Sequence, residues 1–528
     1  MSHELATETA KRRTFAIISH PDAGKTTLTE KLLLYSGLIR TAGMVRGRKG
    51  GKVTASDWMA MEQERGISIT ASAMQFPYKN AVVNLLDTPG HQDFSEDTYR
   101  TLTAADSAIM VIDAAKGVEA QTLKLFAVCR MRRIPVLTLV NKMDLPGRLP
   151  LDLMTEVEQA LHIHASPINW PIGSGSDFVG IVSRSDNHVE LFSRTAHGGA
   201  TKVDVQKMAL ADLEKSGRVP DEVLAHVRHD LELLEIAGNP FSRERFLAGE
   251  VTPVFFASAL TNFGIESFLD AFVDLAPCPS ARLADGEDGA ELSINPIEQP
   301  FSAYVFKLQA NMNPKHRDST AFLRVCSGRF ERDMMVMHHR LGREVRLSRP
   351  HSMVAQERNT VEEAFPGDVI GIINPGLFAI GDTISVAGGF NFKPLPQFQP
   401  EIFARIRPTD VGKRKAFDKG MDQMAQEGTV QIMRSLNDQE FLVAAVGRLQ
   451  FDVLQYRLRQ EYRVETVLEP LSFSCSAWLE GDPQTFKLPS ASMMVKDSRN
   501  RVVVLFGDQL MKNIARDRNP DHVLRDMG

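Results

Sequence analysis

The amino-acid sequence of 528 residues contains only four cysteines, which are Cys129, Cys278, Cys326 and Cys475. They lie far apart in the chain and form no C-x-x-C pair. This spacing argues against a zinc site and against a disulfide framework, because both need cysteines at short or repeated intervals. A reducing compartment is therefore the expected environment.

Long apolar segments are also missing. No run approaches the roughly 18 consecutive apolar residues that a membrane-spanning helix needs. The first residues, MSHELATETAKRR, carry charges, but no apolar stretch follows them as it would in a signal peptide. We expect a cytoplasmic protein that does not associate with membranes.

Composition excludes two further classes of protein. Charged residues make up 24 % of the chain and hydrophobic residues 43 %, which is typical of globular rather than disordered or fibrous proteins. At roughly 150 residues per domain, the length predicts three or four domains.

The net charge of −5 argues weakly against a protein that coats nucleic acid, yet residues 1–52 hold ten Lys or Arg against four acidic residues. The N-terminal part is basic within an acidic chain.

Strand-like and helical patterns alternate in residues 1–280. Apolar runs such as TFAII, AVVNLLD, SAIMVID and IPVLTLVNK are separated by amphipathic segments such as LTEKLLLYSG and TLKLFAVCRMRR. This alternation predicts βαβ units and a mostly parallel, buried sheet, which together make an α/β domain. Between about 150 and 250 the alternation weakens, and we expect a folded insertion there, with a helix around residues 220–237.

Two proline-rich segments divide the rest of the chain. One lies near residues 276–300, and the other, NFKPLPQFQP, lies near residues 391–400. Short β-rich runs in residues 295–392 predict an antiparallel β-barrel domain. Alternating strand and helix patterns in residues 398–528 predict a C-terminal α+β domain.

The first chemical motif follows the strand TFAII and runs directly into a predicted helix. A strand, a tight loop and a helix N-terminus place successive backbone N–H groups around a phosphate. Gly24 permits close approach, Lys25 reaches the β and γ oxygens, and Thr26 supplies a hydroxyl to Mg²⁺. The usual pattern begins with glycine, which is replaced here by serine. The predicted phosphate loop consists of Ser19, His20, Pro21, Asp22, Ala23, Gly24, Lys25, Thr26 and Thr27.

A second motif follows the strand AVVNLL and consists of Asp87, Thr88, Pro89, Gly90 and His91. An aspartate at the carboxyl end of a parallel strand lies near the phosphate loop, where it can hold Mg²⁺ through water. The Gly90 N–H can sense a γ-phosphate. Taken alone, such a segment is more often only a turn.

A third motif follows the strand IPVLTLV and consists of Asn141, Lys142, Met143 and Asp144. The Asp144 carboxylate can accept hydrogen bonds from N1–H and from the exocyclic amine of guanine, whereas adenine offers neither donor. It therefore predicts GTP rather than ATP. A fourth element can supply a backbone N–H to the guanine carbonyl; it follows VTPVFFA and consists of Ser258, Ala259 and Leu260.

These four elements, each at the end of a predicted strand, resemble those of the translational GTPases. The segments that carry the resemblance are SHPDAGKTT, ERGISI, DTPGH, NKMD and SAL. The predicted fold is then an α/β P-loop GTPase domain followed by an antiparallel β-barrel domain and a C-terminal α+β domain. The resemblance implies hydrolysis of GTP to GDP and phosphate, with Mg²⁺ as cofactor.

The resemblance also implies two residue roles. Gly66-Ile67-Ser68 would belong to the first switch, with Ser68 standing where the family commonly has the Mg²⁺-binding threonine. His91 would orient the attacking water. No arginine is evidently placed as a finger in cis, so we expect slow intrinsic hydrolysis and a need for a partner, which in this family is the ribosome.

Over its full length, the chain is most similar to the branch of this family that acts in termination, and VGRLQFDVLQYRLRQEY carries that similarity. The branch implies a ribosome-stimulated GTPase that promotes removal and recycling of codon-reading class I release factors. It neither reads stop codons nor cleaves peptidyl-tRNA. The implied partners are the ribosome, through its RNA and proteins, and class I release factors, and a monomer is expected.

Two basic clusters are candidate contacts with ribosomal RNA phosphates. The first consists of Arg46, Arg48, Lys49 and Lys52, and the second consists of Lys413, Arg414 and Lys415. Solvated loops would explain these charges equally well.

Two other functions stay open from the sequence. A translocation or rescue GTPase would share the motifs, although the further C-terminal domains of elongation factor G do not follow here. Elongation factor Tu differs too, since it has a second barrel where this chain predicts α+β structure. The alternative from another functional class is a nucleotide-dependent binding module that sequesters a partner without useful turnover. Substitution of His91 discriminates between this module and an enzyme, because only the enzyme needs the histidine for hydrolysis.

Overall fold

A computed structural model of the chain describes residues 2–39, 72–193, 199–310, 319–354, 357–374, 376–393, 399–436 and 440–526. One seven-stranded sheet and two eight-stranded sheets organise these residues, together with smaller sheets. Within these ranges, no helix is long and apolar enough to cross a membrane.

The seven-stranded sheet belongs to the part of the chain that ends near residue 280. The elements of this part, in chain order, are α1 (Ser2–Lys11), β1 (Arg12–Ser19), α2 (Lys25–Ser36), β2 (Ser72–Tyr78), β3 (Ala81–Asp87), α3 (Ser95–Ala104), β4 (Ser107–Asp113), α4 (Ala120–Met131), β5 (Val136–Asn141), α5 (Pro150–Leu161), β6 (His164–Pro167), β7 (Asn169–Ile172), β8 (Gly180–Ser183), β9 (His188–Phe192), β10 (Val205–Ala209), α6 (Leu210–Ser216), α7 (Asp221–Ala237), α8 (Arg243–Leu247), β11 (Val251–Phe256) and α9 (Ile265–Leu275).

The strand order of this sheet is β2-β3-β1-β4-β5-β11-β6. Adjacent strands in this sheet are parallel, except for β2, which runs antiparallel to β3. Every residue of β4 and β5 is buried, as expected of parallel strands covered on both faces. The predicted α/β fold is confirmed. Because the chain changes direction in the sheet beside β1, ligands are expected at the carboxyl end of that strand.

The segment between the third and fourth motifs contributes β6 to the main sheet and forms a second, smaller sheet. Strands β7 to β10 form a four-stranded antiparallel sheet in the order β10-β9-β8-β7. The helix expected around residues 220–237 is α7, Asp221–Ala237. Its apolar residues Leu224, Val227 and Leu234 are buried, which explains why a helix forms there.

The middle part of the chain is antiparallel β structure. Its main sheet has the order β18-β17-β23-β14-β15-β22-β19-β20 and forms the expected barrel-type domain around a core that includes Val305, Leu323 and Ile384. The strands are β12 (Arg282–Gly286), β13 (Glu291–Ile294), β14 (Ser302–Ala310), β15 (Ser319–Ser327), β16 (Phe330–Glu331), β17 (Met335–His338), β18 (Arg343–Arg346), β19 (Pro350–Val354), β20 (Glu357–Thr360), β21 (Glu363–Ala364), β22 (Val369–Asn374), β23 (Thr383–Ser385) and β24 (Phe390–Phe392).

The C-terminal part is α+β, as predicted. Its elements are β25 (Ile402–Pro408), α10 (Arg414–Glu427), β26 (Gln431–Ser435), β27 (Phe441–Ala445), α11 (Arg448–Tyr462), β28 (Thr466–Leu471), β29 (Cys475–Glu480), β30 (Ser492–Asp497), β31 (Val502–Phe506), α12 (Gln509–Arg518) and β32 (Val523–Asp526). Its eight-stranded sheet has the order β28-β25-β27-β26-β30-β31-β29-β32. The first half has the βαββαβ arrangement of ferredoxin-like folds. From these sheets we propose the domain bounds 1–280, with the insertion at about 150–250, then 295–392 and 398–528.

A buried polar interface joins the first two domains. Arg324 of β15 lies 2.5 Å from Asp106, the residue before β4, and is 1 % exposed. Its guanidinium also donates to the carbonyl of Gly367. The adjacent Asp368 pairs with Arg12 at the start of β1, across 3.3 Å. The barrel-type domain is therefore fixed to the edge of the sheet opposite the motifs.

Asp106→Asn keeps the shape of the side chain but leaves the Arg324 guanidinium buried without its anion. Breaking a buried ion pair from one side costs about 3 kcal/mol, so we expect the melting temperature of the full chain to fall by several degrees in scanning calorimetry. Glu362→Gln is the control, because its partner Arg332 is exposed and such pairs contribute little. Equal melting temperatures for the two variants would contradict this account of the interface.

Candidate functional site

The four sequence motifs meet at one edge of the seven-stranded sheet. Strands β1, β3, β4, β5 and β11 are parallel, and Ser19, Asp87, Asp113 and Asn141 end the first four of them. Carboxyl ends of parallel strands lie on the same edge, so the loops that follow these strands surround one crevice.

The phosphate loop enters α2 without an intervening turn. Gly24 has φ +97°, a left-handed conformation that favours glycine, and the first helical hydrogen bond runs from Leu28 N–H to the Gly24 carbonyl. The N–H groups of the residues between them therefore have no acceptor within the described helix. A methyl group at position 24 would overlap the side-chain amide of Asn141. This tight loop before a helix N-terminus fits a phosphate group.

The first and second motifs touch through Lys25 and Asp87. The Lys25 Nζ lies 2.5 Å from the Asp87 Oδ1, and both side chains are buried. Thr88 Oγ1 donates to the Ile17 carbonyl at 2.5 Å, which fixes the second motif to β1. A Cβ at Gly90 would lie 3.9 Å from Lys25 Cε, so the turn passes beside the lysine. The arrangement places a cation and a carboxylate beside the helix N-terminus.

The third motif is held from both sides. Asn141 Nδ2 donates to the Ala23 carbonyl at 2.8 Å, and its Oδ1 accepts the Ala259 N–H at 2.9 Å. The Asp144 Oδ1 accepts the Ser258 hydroxyl at 2.6 Å. The first, third and fourth motifs are therefore joined by side chains of the third.

The fourth motif has fewer amides to offer than its three residues suggest. The Ser258 N–H donates to the Phe263 carbonyl, and the Ala259 N–H donates to Asn141. Leu260 is the exposed member of the three. Its N–H is therefore the best candidate for a guanine carbonyl.

The insertion supports the fourth motif. Asn262 Nδ2 donates to the carbonyls of Gly199 and Thr201, at 2.8 and 2.6 Å. The ammonium of Lys31, in α2, also donates to the Gly199 carbonyl. Burial lowers the pKa of Lys31 to about 8. This part of the insertion packs directly behind the predicted base-binding loop.

His20, within the phosphate loop, is buried. Its Nε2 lies 3.1 Å from the Oε2 of Glu119, the residue before α4. Burial lowers the pKa of His20, although the Glu119 carboxylate acts in the opposite direction. His20 is therefore neutral at pH 7 and contributes shape rather than charge. Its loop neighbours Pro21 and Asp22 are exposed, and Thr26 and Thr27 are half-buried in the first turn of α2.

His91 lies at the open side of the crevice. Its side chain is 34 % exposed, and its Nδ1 accepts the Asp93 N–H at 3.2 Å. The residues that follow it form a 3-10 turn, Gln92–Phe94, that leads into α3. His91 can therefore reach solvent beside the second motif.

Several predicted contacts lie outside the described residues, namely Gly66, Ile67, Ser68 and the basic cluster Arg46, Arg48, Lys49 and Lys52. The other basic cluster is described, and its three residues are exposed at the start of α10. Lys413 Nζ donates to the Arg463 carbonyl at 2.7 Å, and Arg414 pairs with Asp418. The contact of either cluster with RNA stays a prediction.

Three residues of this edge were missed from the sequence. Asp113 pairs with Lys142 at 2.8 Å; burial would raise its pKa, but the hydrogen bond from Lys142 lowers it overall. Its place at the end of SAIMVID could have revealed it, because that strand ends at the same edge. Glu119 and Asn262 lie in loops whose sequences carry no comparable signal.

Three family models match successive parts of the chain. The elongation factor Tu GTP binding domain matches residues 10–278, elongation factor G domain 2 matches residues 300–387, and the class II release factor RF3 C-terminal domain matches residues 392–516. The matches follow the order of the three sheets.

Curated relatives are similar over nearly the whole chain. The peptide chain release factor 3 of Symbiobacterium thermophilum is 50 % identical over 99 % of this chain and 98 % of its own length. Those of Gloeobacter violaceus and Synechocystis sp. are 51 % and 52 % identical over 98 % and 97 % of this chain, and over 97 % and 94 % of their own lengths. A solved structure from Thermus thermophilus has a TM-score of 0.70 at 22 % identity over 92 % of this chain and 72 % of that one, a likeness of fold alone.

Gly24→Ala should weaken GDP binding about ten-fold or more, since the methyl group both strains the backbone and displaces Asn141. Titration with a fluorescent GDP analogue measures the loss. Gly37→Ala is the matched control, because Gly37 also has a positive φ, at the other end of α2, but has open space around it. If both variants bound GDP equally well, the close approach of Gly24 would have no role in the site.

Proposed function

This chain belongs to the peptide chain release factor 3 family and is a GTPase of translation termination, and we propose that it uses GTP hydrolysis to remove class I release factors from the ribosome. The observation that carries the proposal is the union, in one chain, of the motif-lined GTPase edge with a C-terminal domain of release-factor type. The turn and helix that follow the second motif contact that domain through Phe94 and Arg100. This union supports release-factor removal rather than translocation.

The proposed reaction is in-line attack of water on the γ-phosphate of GTP. The N–H groups at the start of α2 hold the phosphates, and Lys25 leaves Asp87 to stabilise charge on the β and γ oxygens. Thr26 and Ser68 would hold Mg²⁺ directly and Asp87 through water. When bound, Mg²⁺ neutralises charge on the phosphate oxygens.

We assign the orientation of the attacking water to His91. The half-exposed ring lies beside the Gly90 turn, where it can meet water that enters the crevice. The first described arginine after His91 is Arg100. It is already engaged by Glu96 and by the Gly428 carbonyl, so it is not free to act as an arginine finger. Hydrolysis is therefore expected to be slow until the ribosome orders the site.

Guanine specificity is assigned to Asp144. Its carboxylate, held by the Ser258 hydroxyl, keeps acceptor capacity for N1–H and for the 2-amino group. Asn141 fixes the loop, and the remaining residues of the third and fourth motifs line the base. The insertion holds this loop in place through Asn262.

The proposed setting is the cytoplasm, where the chain acts as a monomer on ribosomes after peptide release. Exposed Lys413, Arg414 and Lys415, together with the basic residues at 46–52, are assigned to ribosomal RNA phosphates. The class I release factor leaves as the GTPase cycle is completed. The chain itself neither reads the stop codon nor cleaves peptidyl-tRNA.

Asp144→Asn should convert the base preference. An asparagine can still accept the Ser258 hydroxyl, so the loop stays folded, but it cannot accept both guanine donors, and GDP affinity should fall about a hundred-fold. Binding of xanthosine diphosphate should rise, as measured by competition against a fluorescent nucleotide. Asp212→Asn, on an exposed helix of the insertion, is the control. Retained preference for GDP would exclude the assignment.

Purified protein and GTP, added to post-termination ribosomes that carry a labelled class I release factor, should accelerate dissociation of that factor. GDP in place of GTP is the control for nucleotide dependence. His91→Ala should retain GTP binding but lose ribosome-stimulated phosphate release about a hundred-fold.

Two results would count against the proposal. Unchanged phosphate release by His91→Ala would remove the role of this histidine. Undiminished factor dissociation by a variant without hydrolysis would identify the chain as a nucleotide-dependent binding module.

A further inference from the structure

Asp93 joins the second motif to the C-terminal domain. Its Oδ1 lies 3.3 Å from His91 Nδ1, and its Oδ2 accepts the backbone N–H of Leu449 at 2.8 Å. The two partners are far apart in the sequence, but one carboxylate touches both. Asp93 is itself buried, so the contact is shielded from water.

The N-cap residue of the helix that receives Asp93 has no side chain to accept a helical N–H, although Gln450 accepts the N–H of that residue. Helix α11 starts at Arg448 after Gly447, and Leu449 is its second residue. An N-cap residue such as Ser or Asp normally accepts the N–H of the second or third helical residue. Here Asp93 supplies that acceptor from another domain, and its negative charge lies at the positive end of the helix dipole.

Gly447 makes room for this contact. Its backbone is extended, with φ −148°, so its conformation does not require glycine. A methyl group there would instead overlap the Asp93 carboxylate. The cap residue of α11 therefore lacks a side chain because the carboxylate from the first domain occupies that space.

The contacts around Asp93 extend the connection on both sides. Phe94, the next residue, packs with Val453 and Leu449 in a small buried cluster. Further along α3, Arg100 donates to the Gly428 carbonyl at 3.5 Å, and a methyl group at Gly428 would overlap it. Helix α3 and the C-terminal domain thus share a packed surface, and a displacement between them must break the cap.

We propose that Asp93 is a positioning residue that transmits the position of the C-terminal domain to His91. While α11 is docked, Leu449 fixes the Asp93 carboxylate and therefore the turn that carries Asp93, which keeps the Asp93 N–H in place to donate to His91 Nδ1. When α11 moves away, the carboxylate returns to water and the ring loses its restraint. Hydrolysis therefore depends on how the ribosome and the release factor place this domain. The inference rests on the role proposed above for His91.

Three variants of the full chain test this with ribosomes and GTP. Asp93→Ala removes the carboxylate but keeps the backbone N–H, and Gly447→Ala displaces the carboxylate from the C-terminal side without changing the first domain. Each should lower kcat for ribosome-stimulated hydrolysis about ten-fold, because the turn that positions the His91 ring is no longer fixed to α11, with nucleotide affinity unchanged. Asp93→Asn retains an acceptor for Leu449 and should recover most of the activity.

The double variant Asp93→Ala with Gly447→Ala should lose no more than either single variant, since both substitutions break the same contact, between the Asp93 carboxylate and Leu449. Gly507→Ala, in the same domain but with ordinary space around it, is the matched control and should behave as the unmodified chain. Melting temperatures separate loss of folding from loss of positioning.

The outcomes distinguish this inference from the proposed function. An unchanged kcat in Asp93→Ala, with His91→Ala inactive, would overturn the positioning role alone. Additive losses in the double variant would also overturn it. If His91→Ala kept full turnover, the proposed role of His91 would fail first, and Asp93 would be only a helix cap.

Discussion

The side-chain amide of Asn141 is the contact on which the geometry of the site depends. It donates to the phosphate loop at Ala23 and accepts from the fourth motif at Ala259, so one planar group sets the distance between the two ends of a nucleotide. An aliphatic side chain could satisfy neither partner, and both partners are buried. The close approach of Gly24 is a direct consequence, because the amide occupies the space where a side chain would stand.

Helix α3 has a second role beside the site, since it contacts both other domains. Tyr304 of the barrel-type domain donates its hydroxyl to the Thr103 carbonyl at the end of the helix, and Lys307 lies 3.6 Å from Asp97. The C-terminal domain packs against its beginning. The segment from His91 to the end of α3 is therefore held at several points by the other two domains. It begins with the histidine that we propose orients the water.

Much of this edge could be predicted from sequence, and the limits have physical causes. Buried parallel strands are continuous apolar runs, so the ends of AVVNLLD and IPVLTLVNK were visible, and their shared direction predicted that the motifs would meet. The cap of α11 by Asp93 could not be predicted. Gly447 alone indicates only a turn, and Asp93 is 356 residues away from Leu449, whose N–H it accepts. The support of the fourth motif by Gly199 could not be predicted either, because the Asn262 side chain donates there to a backbone carbonyl, which any residue carries.

The ion pair between Arg324 and Asp106 has a consequence for how the molecule can be divided. A chain cut after α9 would keep Asp106 but expose it at a surface that the barrel-type domain otherwise covers, together with the carbonyl of Thr103 and the amide of Asn84. The barrel-type domain on its own would expose the Arg324 guanidinium of β15 without its carboxylate partner. The first two domains therefore form one folding unit, and fragments of this protein are better separated after the barrel-type domain than before it.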